Sequence, residues 1–153
     1  IDFPREGNGY SHAYARRQWS LRDNGFLRYA LLADFDEAMI KLISEHRVMS
    51  DGYPYNLHMD EQNKTMVYAH RDLIFVLNWH TEAAIPDYEL PVLEAGKYEM
   101  VLSSDEKRFG GLERQSVGEE HFTFNVKGED GKLYPRLKIY NTPRTAIVLQ
   151  KVD

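Results

Sequence analysis

The chain carries 24 acidic side chains and 6 histidines, the groups best suited to moving protons or holding a metal. Paired carboxylates perform general acid and base work across a sugar or phosphate bond. Asp34, Asp36 and Glu37 fall on the polar side of a helical pattern, where they read as a solvated face. Asp105 with Glu106, and Glu119 with Glu120, lie in turn-like stretches and take the same reading. His12, His46, His58, His70, His80 and His121 include no pair three or four residues apart, so helical metal-ligand spacing is absent and no metal is expected. His80 follows an apolar run and reads as a hydrogen-bonded residue at a strand end. With no cysteine there is no thiol nucleophile, disulfide, cysteine zinc site or iron–sulfur ligation. The Gly-x-x-x-x-Gly-Lys, Gly-x-Gly-x-x-Gly and Gly-x-Ser-x-Gly signatures are missing, and no cofactor is expected. Asn63-Lys64-Thr65 matches a glycosylation sequon, a short match that chance supplies often.

Aromatic side chains remain as candidate chemistry, because flat Trp and Tyr faces stack on the apolar face of a sugar ring. Tyr10, Tyr14 and Trp19 lie near the start, Tyr53 and Tyr55 in mid-chain, and Trp79 at a strand end. For each the alternative is packing in a core or interface. Tyr10 stands beside Gly7-Asn8-Gly9 in a loop, where binding residues concentrate. Arg16 and Arg17 beside Tyr14 and Trp19 form one basic pair in a chain of net charge −5, too little for a nucleic-acid partner held through phosphates.

These residues must be positioned by a chain of 153 residues, 42% apolar and 28% charged, which is enough to bury a core without a staple. Leu27, Leu31, Phe35, Met39 and Ile43 recur every four residues, an amphipathic stripe. Asp23 and Asn24 are suitable caps, and Asp34 with Glu37 could restart a helix, so the stretch fits one helix or two. A shorter helix is expected over 11–21. Residues 49–64 hold Asp-Gly, Tyr-Pro and scattered charges, the pattern of a connection. From residue 65 the pattern is strand: Thr65 to Ala69, Leu73 to Trp79, Lys97 to Leu102, Phe122 to Val126, Arg136 to Tyr140 and Thr145 to Lys151, with weaker strands near Tyr88 and Gln115. Leu73 to Leu77 is continuously apolar, as in a central strand covered on both faces. Glu129-Asp130-Gly131-Lys132 reads as a hairpin turn. Six to eight short strands of this kind predict a mainly β fold, an antiparallel β-sandwich preceded by helices. No apolar run is long enough for a membrane span, and no membrane partner is expected. The lack of cysteine fits a cytoplasmic location. The start at Ile1 reads as a segment of something larger.

Asp2-Phe3-Pro4-Arg5-Glu6-Gly7-Asn8, followed by Tyr14-Ala15-Arg16-Arg17-Gln18-Trp19, resembles the glycogen and starch branching enzymes of the alpha-amylase superfamily. The likeness continues through Leu27-Arg28-Tyr29, Phe35-Asp36, Asp72 to His80, Ser104-Asp105, Phe109-Gly110-Gly111 and Pro143-Arg144-Thr145-Ala146. It departs at Leu77 and Trp79, where the family usually has Phe, and at Gly25, where Pro is common. The resemblance implies a division into 1–48, the last loop and helices of a (β/α)8 catalytic barrel; 49–64, a connection; and 65–153, a C-terminal sandwich of the alpha-amylase all-β type. It implies that the catalytic acids lie upstream, so no catalytic residue is carried over, and that the parent enzyme cleaves α-1,4-glucan chains and transfers them to form α-1,6 branches. Asp2, Phe3, Arg5, Asn8 and Tyr10 would then border the glucan cleft, since barrel sites sit on such loops. Arg16, Arg17 and Trp19 would pack or pair among the outer helices.

Two roles follow for the segment itself. As a structural cap it buries aromatics against its own catalytic barrel; as a glucan-binding module it exposes at least two aromatics, Trp79 among the candidates. The motif from Tyr14 to Trp19 argues against the tail of a debranching or amylase-type relative. Away from the barrel, the stripe of Leu27, Leu31, Phe35, Met39 and Ile43 is expected to fold back on the sandwich or to pair with a second copy.

Overall fold

A computed structural model describes residues 4–13, 15, 18–50 and 52–152. Among the described residues, a short 3-10 turn at Glu6–Asn8 is followed by two helices, α1 (Trp19–Arg22) and α2 (Tyr29–Glu45). The described residues then form nine strands: β1 (Tyr55–Asp60), β2 (Thr65–His70), β3 (Leu73–Asn78), β4 (Ile85–Pro91), β5 (Lys97–Ser103), β6 (Glu120–Phe122), β7 (Phe124–Lys127), β8 (Leu133–Asn141) and β9 (Thr145–Lys151). They form a six-stranded sheet in the order β1-β2-β3-β9-β5-β6 and a three-stranded sheet in the order β4-β8-β7. Every pairing is antiparallel.

The two sheets face each other across one apolar core. Val67, Ile74, Val76, Met100, Ile147 and Leu149 come from the larger sheet, and Tyr88, Leu90, Leu137 and Ile139 from the smaller. Alternate residues of each strand supply that face because successive side chains point to opposite sides. The outer face of the larger sheet is covered too. Leu73, Phe75, Leu102 and Val148 pack there with Phe35, Ala38, Met39 and Leu42 of α2. The molecule therefore has three layers, helix on six-stranded sheet on three-stranded sheet, which explains the unbroken apolar run in β3: it is buried on both sides.

Helix α2 runs without a break through Asp34, as one helix. Its N-cap is Arg28, with no side-chain cap bond, and neither expected cap serves it. Asp23 closes α1, its amide donating to the Trp19 carbonyl, while the Asn24 side chain accepts from the Phe26 amide in the intervening turn. Tertiary packing supplies what the cap does not. At the other end Arg47 takes φ 52°, and the Val48 amide donates to the Ile43 carbonyl, closing the helix as a Schellman turn that delivers Val48 to the outer sheet face. Of the helix expected over 11–21, the described residues show the four-residue α1.

Three sequence expectations differ from the structure. The stretch 49–64 contains β1, which pairs with β2 at the sheet edge; exposed side chains and a bulge between Asn56 and His58 mask its alternation. The run Phe122 to Val126 is split between two sheets. Thr123 makes the crossing: its amide donates to the Gly96 carbonyl and its Oγ1 accepts from the Gly96 amide. No strand forms at Gln115, a buried side chain that donates to the Tyr140 carbonyl and accepts from Thr142 Oγ1.

Candidate functional site

The turn at residues 5–10 gathers three of the five residues expected at a cleft edge. The Arg5 carbonyl accepts from the Asn8 and Tyr10 amides, and the Arg5 amide donates to Asn8 Oδ1. Tyr10 is held at φ 56° with 66% of its surface exposed, on a backbone fixed by these bonds. Asp2 and Phe3 lie outside the described residues, as do Tyr14, Arg16 and Arg17. Trp79 sits elsewhere, just past β3, with its amide bonded to the Lys64 carbonyl and its side chain 59% exposed. His80 beside it has a local role: its Nδ1 accepts from the Glu82 and Ala83 amides. Among the described residues no three His, Cys, Asp or Glu side chains gather as a metal site.

Several acids considered for chemistry are engaged in holding the fold. Asp105 is the most committed. Its carboxylate accepts from the Leu112 and Arg114 amides and takes a two-pronged grip from the Arg114 guanidinium, at 2.8 Å from Nε and 3.0 Å from Nη2. Burial alone would push this carboxyl up, but the bonds from Arg114 and Leu112 outweigh it and hold the group below the ordinary aspartate value. Glu106 pairs with Arg108, and Glu120 with Lys97. Asp34 lies 3.6 Å from Arg22, a link between α1 and α2.

The loop that Asp105 ties down reaches the helix. Phe109 meets Phe35 edge to face, with ring centroids 5.3 Å apart, and the Arg108 guanidinium lies 4.4 Å from the Phe109 ring centre. Gly110, at φ 82°, closes the 3-10 turn under Leu31. Any side chain on Gly111 would collide with the Asp105 backbone. The whole loop is thus shaped to clasp α2 onto the sheet.

That clasp leaves a second apolar face on α2. Leu32 and Ile40, 65% and 57% exposed, lie eight residues apart on one side, about 12 Å along the axis. Trp19, Leu21 and Tyr29 extend the patch, and two open grooves of about 570 and 670 Å³ run along it. Of the expected stripe, Phe35 and Met39 fold back on the sheet, Leu27 precedes the helix, and the exposed face is carried by Leu32 and Ile40. In the sequence Asp36 falls between Leu32 and Ile40 at four-residue spacing, so no continuous stripe signals this face.

Two antiparallel sheets enclosing one core define an all-β domain, and residues 55–152 match the family described as alpha amylase, C-terminal all-beta domain. The chain belongs to that family. Over its full length it is 41% identical to the 1,4-alpha-glucan-branching enzyme of Dictyostelium discoideum, covering 22% of that protein. It is 36% identical to the 1,4-alpha-glucan-branching enzyme of Saccharomyces cerevisiae, across 97% of this chain and 21% of the yeast protein. It is also 36% identical to the chloroplastic/amyloplastic 1,4-alpha-glucan-branching enzyme of Oryza sativa subsp. japonica, across all of this chain and 19% of the rice protein. The chain spans about a fifth of the length of these relatives.

Proposed function

We propose that this chain is the C-terminal, non-catalytic cap of a glycogen branching enzyme, and that the outer face of α2 is the surface its catalytic barrel covers. The observation that carries this is the double-sided helix. One side of α2 is buried on the sandwich through Phe35, Met39 and Leu42, and the other presents Leu32 and Ile40 beside Trp19 and Leu21. A patch of this kind marks an interface, and the relatives are some five times longer than this chain, leaving ample protein to cover it. On this reading residues 1–48 are the last loop and helices of the barrel, and the sandwich begins with β1. The Arg5–Tyr10 turn then stands at the rim of the glucan cleft, with Asp2 and Phe3 preceding it, while the retaining two-carboxylate chemistry that forms α-1,6 branches belongs to acids upstream. We place the enzyme in the cytoplasm on this reading; no helix among the described residues is long and apolar enough to cross a membrane.

Replacing Leu32 and Ile40 together by Ala tests the cap. In the complete enzyme the pair should cost about 2 kcal/mol or more, since most of each side chain would be buried there. In this chain alone the same change should cost under about 1 kcal/mol, because both are already exposed. Equal effects in the two contexts refute the cap. A second reading, a glucan-binding module, draws on the exposure of Tyr10 and Trp79. It requires retardation of this chain in a glycogen-containing gel, relieved by maltoheptaose and abolished by Trp79→Ala. Self-association through the α2 face is the remaining way to cover it, and light scattering of this chain would show a dimer.

A further inference from the structure

The sequence holds two Asn-Gly pairs, Asn8-Gly9 and Asn24-Gly25, and the fold treats them oppositely. Asparagine before glycine is the pair most open to modifying itself, because a glycine amide nitrogen, unshielded by a β-carbon, can attack the asparagine side-chain carbonyl. Two conditions must hold: the side chain must lie toward the following peptide, and the N–H of that peptide must be free to react. The first pair meets neither. Asn8 Oδ1 is drawn back to the Arg5 amide at 3.0 Å, and the Gly9 amide donates to the Glu6 carbonyl at 3.0 Å, closing the 3-10 turn.

The second pair meets both. Asn24 and Gly25 are exposed in the link between α1 and α2, and among the described residues the Gly25 amide has no hydrogen-bond partner. The space beside it is open as well: a Cβ on Gly25 would meet nothing within 4 Å. Asn24 Oδ1 accepts from the Phe26 amide at 3.0 Å, which folds the side chain forward across the Gly25 peptide. That donor has a second use. Attack on Cγ gathers negative charge on Oδ1, and an amide already aimed at that oxygen stabilises it. The Leu27 amide donates to the Asn24 carbonyl at 3.0 Å, so the turn itself holds the reacting groups in place.

We propose that Asn24 is a site of spontaneous deamidation built into the α1–α2 link. The Gly25 nitrogen gives its proton to solvent and bonds to Asn24 Cγ; the side-chain nitrogen takes up a proton and leaves as ammonia, closing a succinimide ring. Water then opens the ring at either carbonyl, to aspartate or to isoaspartate, whose main chain is longer by one methylene. Either product adds a negative charge, and isoaspartate lengthens the link that joins Trp19 and Leu21 to Leu32 and Ile40. None of this depends on what covers α2, and its failure would leave the cap reading intact. The test is peptide mapping by mass spectrometry of the folded 153-residue chain, aged in mildly alkaline buffer and digested with pepsin, beside the same chain aged in guanidinium chloride. The Asn24 peptide should gain one mass unit at least as fast in the folded chain as in denaturant. Folded Asn8 should lag it by about tenfold or more, since the Gly9 amide bond must first break, and should catch up in denaturant. Gly25→Pro suits the second position of the turn but has no N–H to attack, so it should abolish the conversion; Gly25→Ala should slow it several-fold. Conversion of Asn8 as fast as Asn24 in the folded chain, slower conversion of Asn24 folded than denatured, or conversion that survives Gly25→Pro would each overturn the assignment.

Discussion

Replacing Asp105 by Asn should release the clasp over α2. The residue is 5% exposed and receives four hydrogen bonds, two from backbone amides and two from Arg114. An asparagine can accept through one oxygen, but its amide nitrogen must then face donors of Arg114. Removing one member of a buried pair costs about 3–5 kcal/mol. Arg114 keeps 29% of its side-chain surface in contact with water, so the lower end, about 3 kcal/mol, is expected. Urea unfolding with an unchanged slope gives the number directly. Acid provides the second half of the assay. The folded-state carboxyl lies below its ordinary value. Its contribution is therefore fully present above about pH 4 and is lost as pH falls through the depressed folded value. The Asn variant has no such group, so its acid limb should be shallower than the wild type's. Amide exchange in α2 should rise more than in β3, because the loop reaches the helix through Phe109. A loss under about 1 kcal/mol, or an acid limb of unchanged slope, would show that the pair behaves as a surface ion pair and would refute the clasp.

Gly111→Ala should destabilise by a similar amount, because its Cβ would overlap the Asp105 backbone, which cannot move aside; thermal unfolding checks it. Phe35→Ala should cost about 2–3 kcal/mol, less than a fully buried Phe, and accelerate exchange along α2 while sparing the strand amides. Asn78→Ala should cost about 2 kcal/mol by denaturant unfolding, since it strips partners from Asn141, the Thr142 carbonyl and the His80 amide at the buried end of the sandwich. Trp79→Ala, by contrast, should stay within about 0.5 kcal/mol in the same assay, because the side chain is mostly in water.

How much of this was legible depended on what each residue's neighbours were. Strands β2, β3, β5 and β9 are recovered nearly to the residue because both of their edges are paired and at least one face is buried, so composition and spacing agree. Strand β1 escapes that reading since it has one partner and several exposed side chains, including Tyr55 and Met59. The division at Thr123 is invisible in a sequence where Phe122 and Phe124 look like one alternating run; only the distant Gly96 decides it. The residues around Asp105 carry the family likeness, yet their purpose appears only once Arg114 and the α2 ring of Phe35 are brought to them. Trp79 and Tyr10 are both exposed, but one lies just past β3 and the other beyond the turn at Glu6–Asn8.

The helix shows why a sequence stripe alone names an interface without naming its occupant. Along Tyr29–Glu45 the apolar positions Leu31, Phe35, Ala38, Met39 and Leu42 make one face, and Leu32 and Ile40, both exposed, broaden it beyond what the sheet covers. An ordinary surface helix needs an apolar band of roughly 100°. The excess apolar width marks a surface suited to contact with a second body. The sandwich takes the first face, held by the Phe109 loop, and this fixes the orientation in which the second is offered. A rigid loop clasp on one side is therefore part of how the other side is presented. The consequence is testable in the same variants: if the proposed cap is right, Asp105→Asn and the Leu32/Ile40 double substitution should be non-additive in the longer protein, since loosening the helix on the sheet also misplaces the face offered to its partner. Strict additivity would mean that the two faces of α2 act independently, and would confine the clasp to the stability of this domain.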